Sequence, residues 1–219
     1  MPHYAPPENY RGTPSRVDLR AGTELWRVHS RDYHPCAFNP RLADTHFGGG
    51  RFDGTKDDPY AYMYAAFDRV TAVAESFLRS LPADDRGYRT LLRATVNHRR
   101  LACLRTTADL ALITLETTAD LGAVGQDEWL VQTEARDYAF TRRWAHWLRE
   151  QAPWAQGIIW RSKREIGARS LILFHDRCPY PGVELCRSPG FDLDDAAGAK
   201  WLNDVLADYR VTIRPPAPV

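Results

Sequence analysis

The 219-residue sequence predicts an α+β fold around a mixed or antiparallel sheet. Three observations point there. Strings rich in β-branched and aromatic residues, such as ELWRVHS from Glu24, GIIWRS from Gly157 and SLILF from Ser170, read as strands. Amphipathic stretches with helical spacing fall among them. The two kinds are interspersed without the regular strand-helix-strand rhythm of a parallel α/β sheet. The length fits one domain with a substantial core.

Residues 1–22 hold several prolines and read as an extended arm on the surface, available for an oligomer contact, with residues 23–219 forming a single domain. ELWRVHS is the first expected strand, and RDYHPCAFNPRLADTHFGGG, rich in turn residues, a long loop of the kind that is often functional. Tyr60 to Phe67 reads as a short buried strand, after which Asp68 caps a helix running to about Leu81. Val70, Val73, Ala74, Phe77 and Leu78 form its apolar face, and Glu75 lies off that face. Strands are expected at Thr90 to Val96 and Leu101 to Leu104, around a polar turn at Asn97 to Arg100, then a helix from Ala108 to Thr117. A longer helix from Glu134 to Glu150 places Phe140, Trp144, Trp147 and Leu148 on one side and ends before Pro153. The strands GIIWRS and SLILF pair across the charged turn KREIGAR. A last helix near Leu193 to Ala207, with Trp201, Leu202, Val205 and Leu206, leads into a strand-like YRVTIRP and a proline-rich tail.

With 29 basic against 28 acidic residues, the chain lacks the broad basic footprint of a nucleic-acid binder, so a small molecule or a protein is the expected partner. The first twenty residues have no apolar core of signal-peptide length, and no run approaches a membrane span. Cys36, Cys103, Cys178 and Cys186 contain no CxxC pair. A reduced, soluble, cytoplasmic protein is expected. The seven histidines show no pair at ligand spacing on a shared helix, so no metal site is expected. There is no GxGxxG leading from a strand into a helix, no GxxxxGK[ST], no HExxH and no GxSxG, which sets aside hydride transfer, P-loop phosphoryl transfer and α/β-hydrolase chemistry.

The most informative segment is Gly48 to Glu75, GGGRFDGTKDDPYAYMYAAFDRVTAVAE. Successive glycines let backbone approach a ligand closely, and Arg51 beside them offers a charged fork of donors matched to phosphate oxygens. The same GGGR also reads as a surface turn with a solvated arginine. Candidate partners are one or more of Tyr60, Tyr62 and Tyr64, then Glu75 on its helix and Ser162 at a strand end. Singly, each has a bland reading as a core tyrosine, a solvated carboxylate or a turn hydroxyl. Together they suit cleavage of an N-glycosidic bond, in which a carboxylate stabilises an oxocarbenium-like sugar, an arginine holds phosphates and an aromatic ring packs on the base. The nicotinamide of NAD already carries positive charge on its ring nitrogen, so no strong general acid is needed.

In their order, these segments resemble the RES domain family. LWRV at Leu25 to Val28 is similar to that family's first strand with its arginine, Arg27; GGRF at Gly49 to Phe52 to its GGR followed by an aromatic; YAAFDRVTAVAE at Tyr64 to Glu75 to its tyrosine, turn and glutamate-bearing helix; and GIIWRS with SLILF to its late strand pair, carrying Ser162. Two positions depart from the pattern: Phe52-Asp53 stands where members often have Trp-Asn, and Arg161 where proline is commoner. The resemblance spans about Glu24 to Phe174. It implies an ADP-ribosyltransferase-like fold and a toxin of a bacterial toxin-antitoxin pair that consumes NAD+, with water, inorganic phosphate or a protein as acceptor of ADP-ribose. It also implies an Xre-type helical antitoxin and a homodimer. By that resemblance Arg27 and Arg51 grip the diphosphate or ribose, Tyr64 orients the nicotinamide end, Glu75 stabilises the ribosyl cation and Ser162 supports NAD binding. A non-catalytic binding module built on the Trp144 and Trp147 helix and the arm is the alternative of another class.

Overall fold

A computed structural model describes residues 4–9, 11–44, 46, 48–79 and 81–213; the proline-rich tail from 214 and part of the N-terminal arm lie outside it. In chain order the elements are β1 (Arg16–Leu19), β2 (Glu24–Ser30), β3 (Tyr62–Ala66), α1 (Arg69–Phe77), β4 (Arg89–Leu91), α2 (Arg93–Val96), β5 (Arg99–Thr106), β6 (Leu110–Leu115), α3 (Thr118–Ala123), α4 (Trp129–Gln132), α5 (Tyr138–Gln151), β7 (Gly157–Arg161), β8 (Arg169–Phe174), β9 (Val183–Asp192), α6 (Ala196–Ala207) and β10 (Val211–Ile213). Eight strands form one sheet in the order β1-β6-β7-β8-β3-β2-β5-β9, and β10 pairs with β4 in a second, two-stranded sheet. Within the large sheet β6 and β7 are parallel and their neighbours antiparallel, so the expected α+β class with a mixed sheet is what the chain adopts. A parallel pair needs a long crossover, and α3, α4 and α5 supply it.

The apolar strings that mark the strands are unbroken because both faces of the central strands are covered. Ile113, Ile158, Trp160, Ile172 and Phe174 point to one cluster with Trp144, Trp147 and Leu148 of α5. Their neighbours Leu112, Ile159, Leu171 and Leu173 fill another, which also contains Leu19 of β1 and Leu25 of β2. Strands from distant places in the sheet meet there, so the sheet curls. A third cluster packs α1 and α6 against Trp26, Leu101 and Cys103. Each large aliphatic or aromatic side chain so buried contributes about 1.5–3 kcal/mol.

Several expectations are corrected. The stretch from Ala108 to Thr117 is not a helix: it contains β6, an inner strand flanked by β1 and β7, and its buried LALITL core hides the alternation that marks a strand. Only the start of Thr90 to Val96 is strand, because the chain leaves β4 at Leu92 and turns into α2. Helix α1 is capped by Asp68 as expected but stops at Phe77, short of Leu81, which precedes Pro82 and is biased away from helical backbone. Within the arm, Arg16–Leu19 forms β1 and pairs with β6. The reduced state expected of the cysteines is also corrected. Cys103 on β5 and Cys186 on β9 form a disulfide across 83 residues, while Cys36 and Cys178 are free. Strand pairing, invisible in the cysteine spacing, brings the two together. Among the described residues, the grouping of donor atoms close enough to share a metal is Glu24 with these same two sulfurs, which are bonded to each other.

Candidate active site

Strands β2 and β3 are neighbours in the sheet but share one rung, Trp26 to Ala66, whereas β2 follows β5 over its whole length and β3 follows β8. Beside this seam lies a cavity of about 280 Å³. Arg27 of β2, Tyr64 of β3, Glu75 of α1 and Arg51 of the glycine loop all line it, together with Tyr138 and Trp160. Among its described lining residues, Arg79 and Arg99 bring the arginines to four, against the single carboxylate of Glu75. The cavity therefore favours an anion. Ser162 does not line it, and its connection is through Glu75.

Helix α1 places Glu75. Asp68 accepts from Thr71 N at 2.7 Å at its start, and Val73, Ala74 and Phe77 bury its apolar face, leaving Glu75 half-buried toward the cavity. Ser162 lies just beyond β7 and is 2% exposed. Its Oγ accepts from Arg164 N at 3.1 Å and Glu165 N at 3.0 Å. Both lone pairs are thus taken, and the one hydroxyl proton goes to Glu75 Oε1 at 2.5 Å. The turn that begins KREIGAR thereby fixes one carboxylate oxygen, while Glu75 makes no ion pair within 4.0 Å among the described residues.

The glycine loop is a built structure, not a solvated turn. Arg51 is 5% exposed; its guanidinium donates to Leu130 O and to Tyr138 Oη, each at 3.3 Å, and lies 4.9 Å from the centroid of the Tyr138 ring. Burial lowers its pKa, and the nearby Tyr138 and Glu75 act against that; an arginine keeps its charge there. Gly49 has φ +70, and a side chain on it would meet Ala43 Cβ at 2.7 Å and Asp53 Oδ2 at 2.9 Å. A Cβ on Gly50 would strike Asp53 and the Tyr64 hydroxyl, at 2.5 and 2.7 Å. The loop carbonyls are gathered by Arg142, 1% exposed, which donates to Asp44 O at 2.6 Å, Gly48 O at 2.8 Å and Gly50 O at 3.2 Å.

Tyr64 belongs to this wiring. Its hydroxyl accepts from Phe52 N at 2.9 Å and donates to Asp53 Oδ1 at 2.8 Å, while Asp53 Oδ2 accepts from Tyr62 Oη at 2.8 Å and Gly50 N at 2.6 Å. Burial, and then the Asp53 charge, push the Tyr64 phenol far above its ordinary pKa, so it stays protonated. Its ring edge meets Trp160 at 6.2 Å between centroids. Tyr60 instead donates to Phe52 O at 2.7 Å and carries Arg149 over its ring, as a core residue. Arg27 is held from the other side, donating through one nitrogen to Pro35 O at 2.9 Å and Ala37 O at 2.8 Å; loss of water lowers its pKa to about 10 and leaves it charged at neutral pH.

Of the five residues named from the sequence, four by their chemistry and Arg27 by the resemblance, Arg27, Arg51, Tyr64 and Glu75 line one cavity and Ser162 bonds to Glu75. Asp53, Tyr138 and Arg142 were missed. A signal for Arg142 exists: it is a charge on the apolar side of α5, between Thr141 and Trp144 and four residues after Tyr138, all of which are buried.

The RES domain model matches residues 24–211. Among curated proteins there is no match. In solved structures the chain is similar to one in the crystal structure of the M. tuberculosis MbcT-MbcA toxin-antitoxin complex, at 16% identity and a TM-score of 0.52, over 81% of this chain and 85% of that one. At that identity the likeness is one of fold.

Proposed function

Because the chain belongs to the RES domain family, we propose that it consumes NAD+ by breaking the bond between nicotinamide and ribose, as the toxin of a toxin-antitoxin pair. The observation that carries this reading is a carboxylate, Glu75, fixed by Ser162 in a cavity whose other charged lining residues, among those described, are the arginines Arg27, Arg51, Arg79 and Arg99. Arg27 and Arg51 hold the diphosphate, Tyr64 and Trp160 shape the nicotinamide end, and Glu75 faces the sugar. As the C–N bond breaks, its electron pair leaves with neutral nicotinamide, and the developing oxocarbenium is stabilised by the carboxylate. Inorganic phosphate or water then attacks the anomeric carbon. The chemistry needs no metal and no general acid.

The likeness to a chain of the MbcT-MbcA toxin-antitoxin complex supports an antitoxin partner, for which we take an Xre-type helical protein that covers the cavity. A homodimer, a cytoplasmic location and an arm followed by one catalytic domain complete the reading. The test is nicotinamide release from NAD+ by purified protein, with and without phosphate, against Glu75→Gln at matched circular dichroism. Release dependent on phosphate identifies a phosphorylase and release without it a glycohydrolase. Tight NAD+ binding without release redirects the search to a protein acceptor, and neither release nor binding sinks the enzyme.

A further inference from the structure

Where β5 and β9 meet, Ala102 pairs with Gly190 and Leu104 with Leu185, so β9 has residues 186–189 where β5 has Cys103 alone. Bulges of this kind re-aim side chains. The bulge begins at Cys186, whose sulfur meets that of Cys103 with the two Cα atoms 5.5 Å apart. On the other side of β5, Trp26 pairs with Cys103 and Glu24 with Arg105. Alternate residues of a strand share a face, so Glu24 stands on the same face as Cys103. A carboxylate oxygen of Glu24 and the two sulfurs lie within 4.8 Å of one another.

Glu24 is unclaimed by any cation of the protein. Arg105, directly across the ladder from it, turns to Glu184 instead, donating through Nε at 3.1 Å and Nη2 at 2.6 Å. Among the described residues Glu24 makes no ion pair within 4.0 Å. It is exposed, which opens the three donors to solvent, while Cys103 is 2% exposed.

We propose that Cys103, Cys186 and Glu24, once the two sulfurs are reduced, hold a thiophilic divalent cation, zinc, with water at the fourth position. Two thiolates and a carboxylate suit zinc better than the oxygen-seeking cations, and zinc accepts three protein ligands in a tetrahedron. With each sulfur about 2.3 Å from the ion, the two stand roughly 3.8 Å apart. That is farther than in the bond, and the extra residues of β9 supply the slack. A dithiol reductant gives two electrons and two protons to the bond and becomes a disulfide itself; zinc then displaces the two thiol protons. Bond and ion exclude each other, so the site holds zinc only in the reduced protein. It stands whether or not the chain cleaves NAD+.

Zinc titration of the full-length protein against a chromophoric chelator tests it. The protein carries Cys36→Ser and Cys178→Ser, which leaves Cys103 and Cys186 as the thiols, and is reduced with a phosphine that is then removed without air. The reduced form takes up one equivalent of zinc and the oxidised form none. Cobalt(II) in place of zinc gives a sulfur-to-cobalt charge-transfer band, which Cys186→Ser abolishes. Glu24→Gln keeps the band and weakens zinc about tenfold or more, since a lost ligand costs at least as much as a lost outer-shell partner. Reduced wild type compared with Cys186→Ser gives the same difference without the double change. No zinc uptake after reduction, equal uptake by the oxidised form, absence of the cobalt band, or an affinity unchanged in Glu24→Gln each overturns the site.

Discussion

The hydroxyl of Ser162 donates to Oε1 of Glu75 at 2.5 Å across 87 residues of sequence, and nothing else is left for that proton to do. Ser162→Ala therefore releases the carboxylate and leaves two turn N–H groups without an acceptor. Nicotinamide release falls about tenfold to a hundredfold, as expected when a reacting group loses its placement. Glu75→Gln falls further, by about 10²–10³, with thermal unfolding unchanged, since Glu75 is half-buried and makes no ion pair among the described residues. Full activity in Ser162→Ala beside an inactive Glu75→Gln would remove the positioning role.

Asp53 is the acceptor for three buried donors, Gly50 N, Tyr62 Oη and Tyr64 Oη. Asp53→Ala orphans all three and costs about 3 kcal/mol or more. For a domain of this size that lowers the melting temperature by roughly 6–12 °C. Differential scanning calorimetry reads it directly, and a drop under about 2 °C would show that the loop does not depend on this carboxylate.

Arg51→Lys keeps the charge and loses the planar fork that reaches Leu130 O and Tyr138 Oη. The KM for NAD+ rises about tenfold while kcat changes less, because the contact to phosphate is as strong in the ground state as later. Steady-state kinetics that showed the reverse split would place Arg51 at the reacting centre.

The contacts that make the site were only partly legible. Arg51, Tyr64, Glu75 and Ser162 could be read only as a set, since each alone passes for a turn, core or surface residue, and Arg27 was marked only by the resemblance of LWRV to a family strand. Asp53 looks like one more loop carboxylate, because its role depends on Tyr62 and Tyr64 returning from a strand nine and eleven residues later. Strand β9 escaped notice for a different reason. VELCRSPGFD has charges and a Pro-Gly pair in its middle, and it is tolerated because β9 is an edge strand whose pairing with β5 shifts register there, with Gly190 at φ +99. β6, buried between neighbours, gave up its period of two in the same way as the strands beside it, but its leucines and alanine favour a helix locally.

His29 gives the protein an acid limit. In the folded state its pKa is about 4, against 6.5 ordinarily. Below about pH 6.5 the unfolded chain takes up a proton that the folded one refuses, so stability falls as pH drops from 6.5 toward 4 and this contribution levels off below. His29→Gln lacks that slope. Urea midpoints at about pH 7 and pH 4.5 differ more for wild type than for the variant, and equal differences would contradict the assignment.

The Cys103 to Cys186 bond closes a loop of 83 residues. Chain-entropy arguments assign such a closure about 4.5 kcal/mol. Treatment with a phosphine reductant lowers the melting temperature of wild type by roughly 9–18 °C to that of Cys103→Ser, which does not itself respond. A wild type indifferent to the reductant would mean that the bond does not form in solution.

The single rung between Trp26 and Ala66 has a consequence for how this protein can vary. It divides the large sheet into two panels, β1-β6-β7-β8-β3 and β2-β5-β9, joined by one paired rung. One panel carries Tyr64 and leads into Ser162; the other carries Arg27 and His29. Glu75 rides on α1, which packs against β2 of one panel as well as β3 of the other, so in the proposed reading the carboxylate spans the seam. Ser162 reaches it from one panel and Arg27 lines its cavity from the other, and a lineage can alter the arginine's panel while the serine's stays as it is.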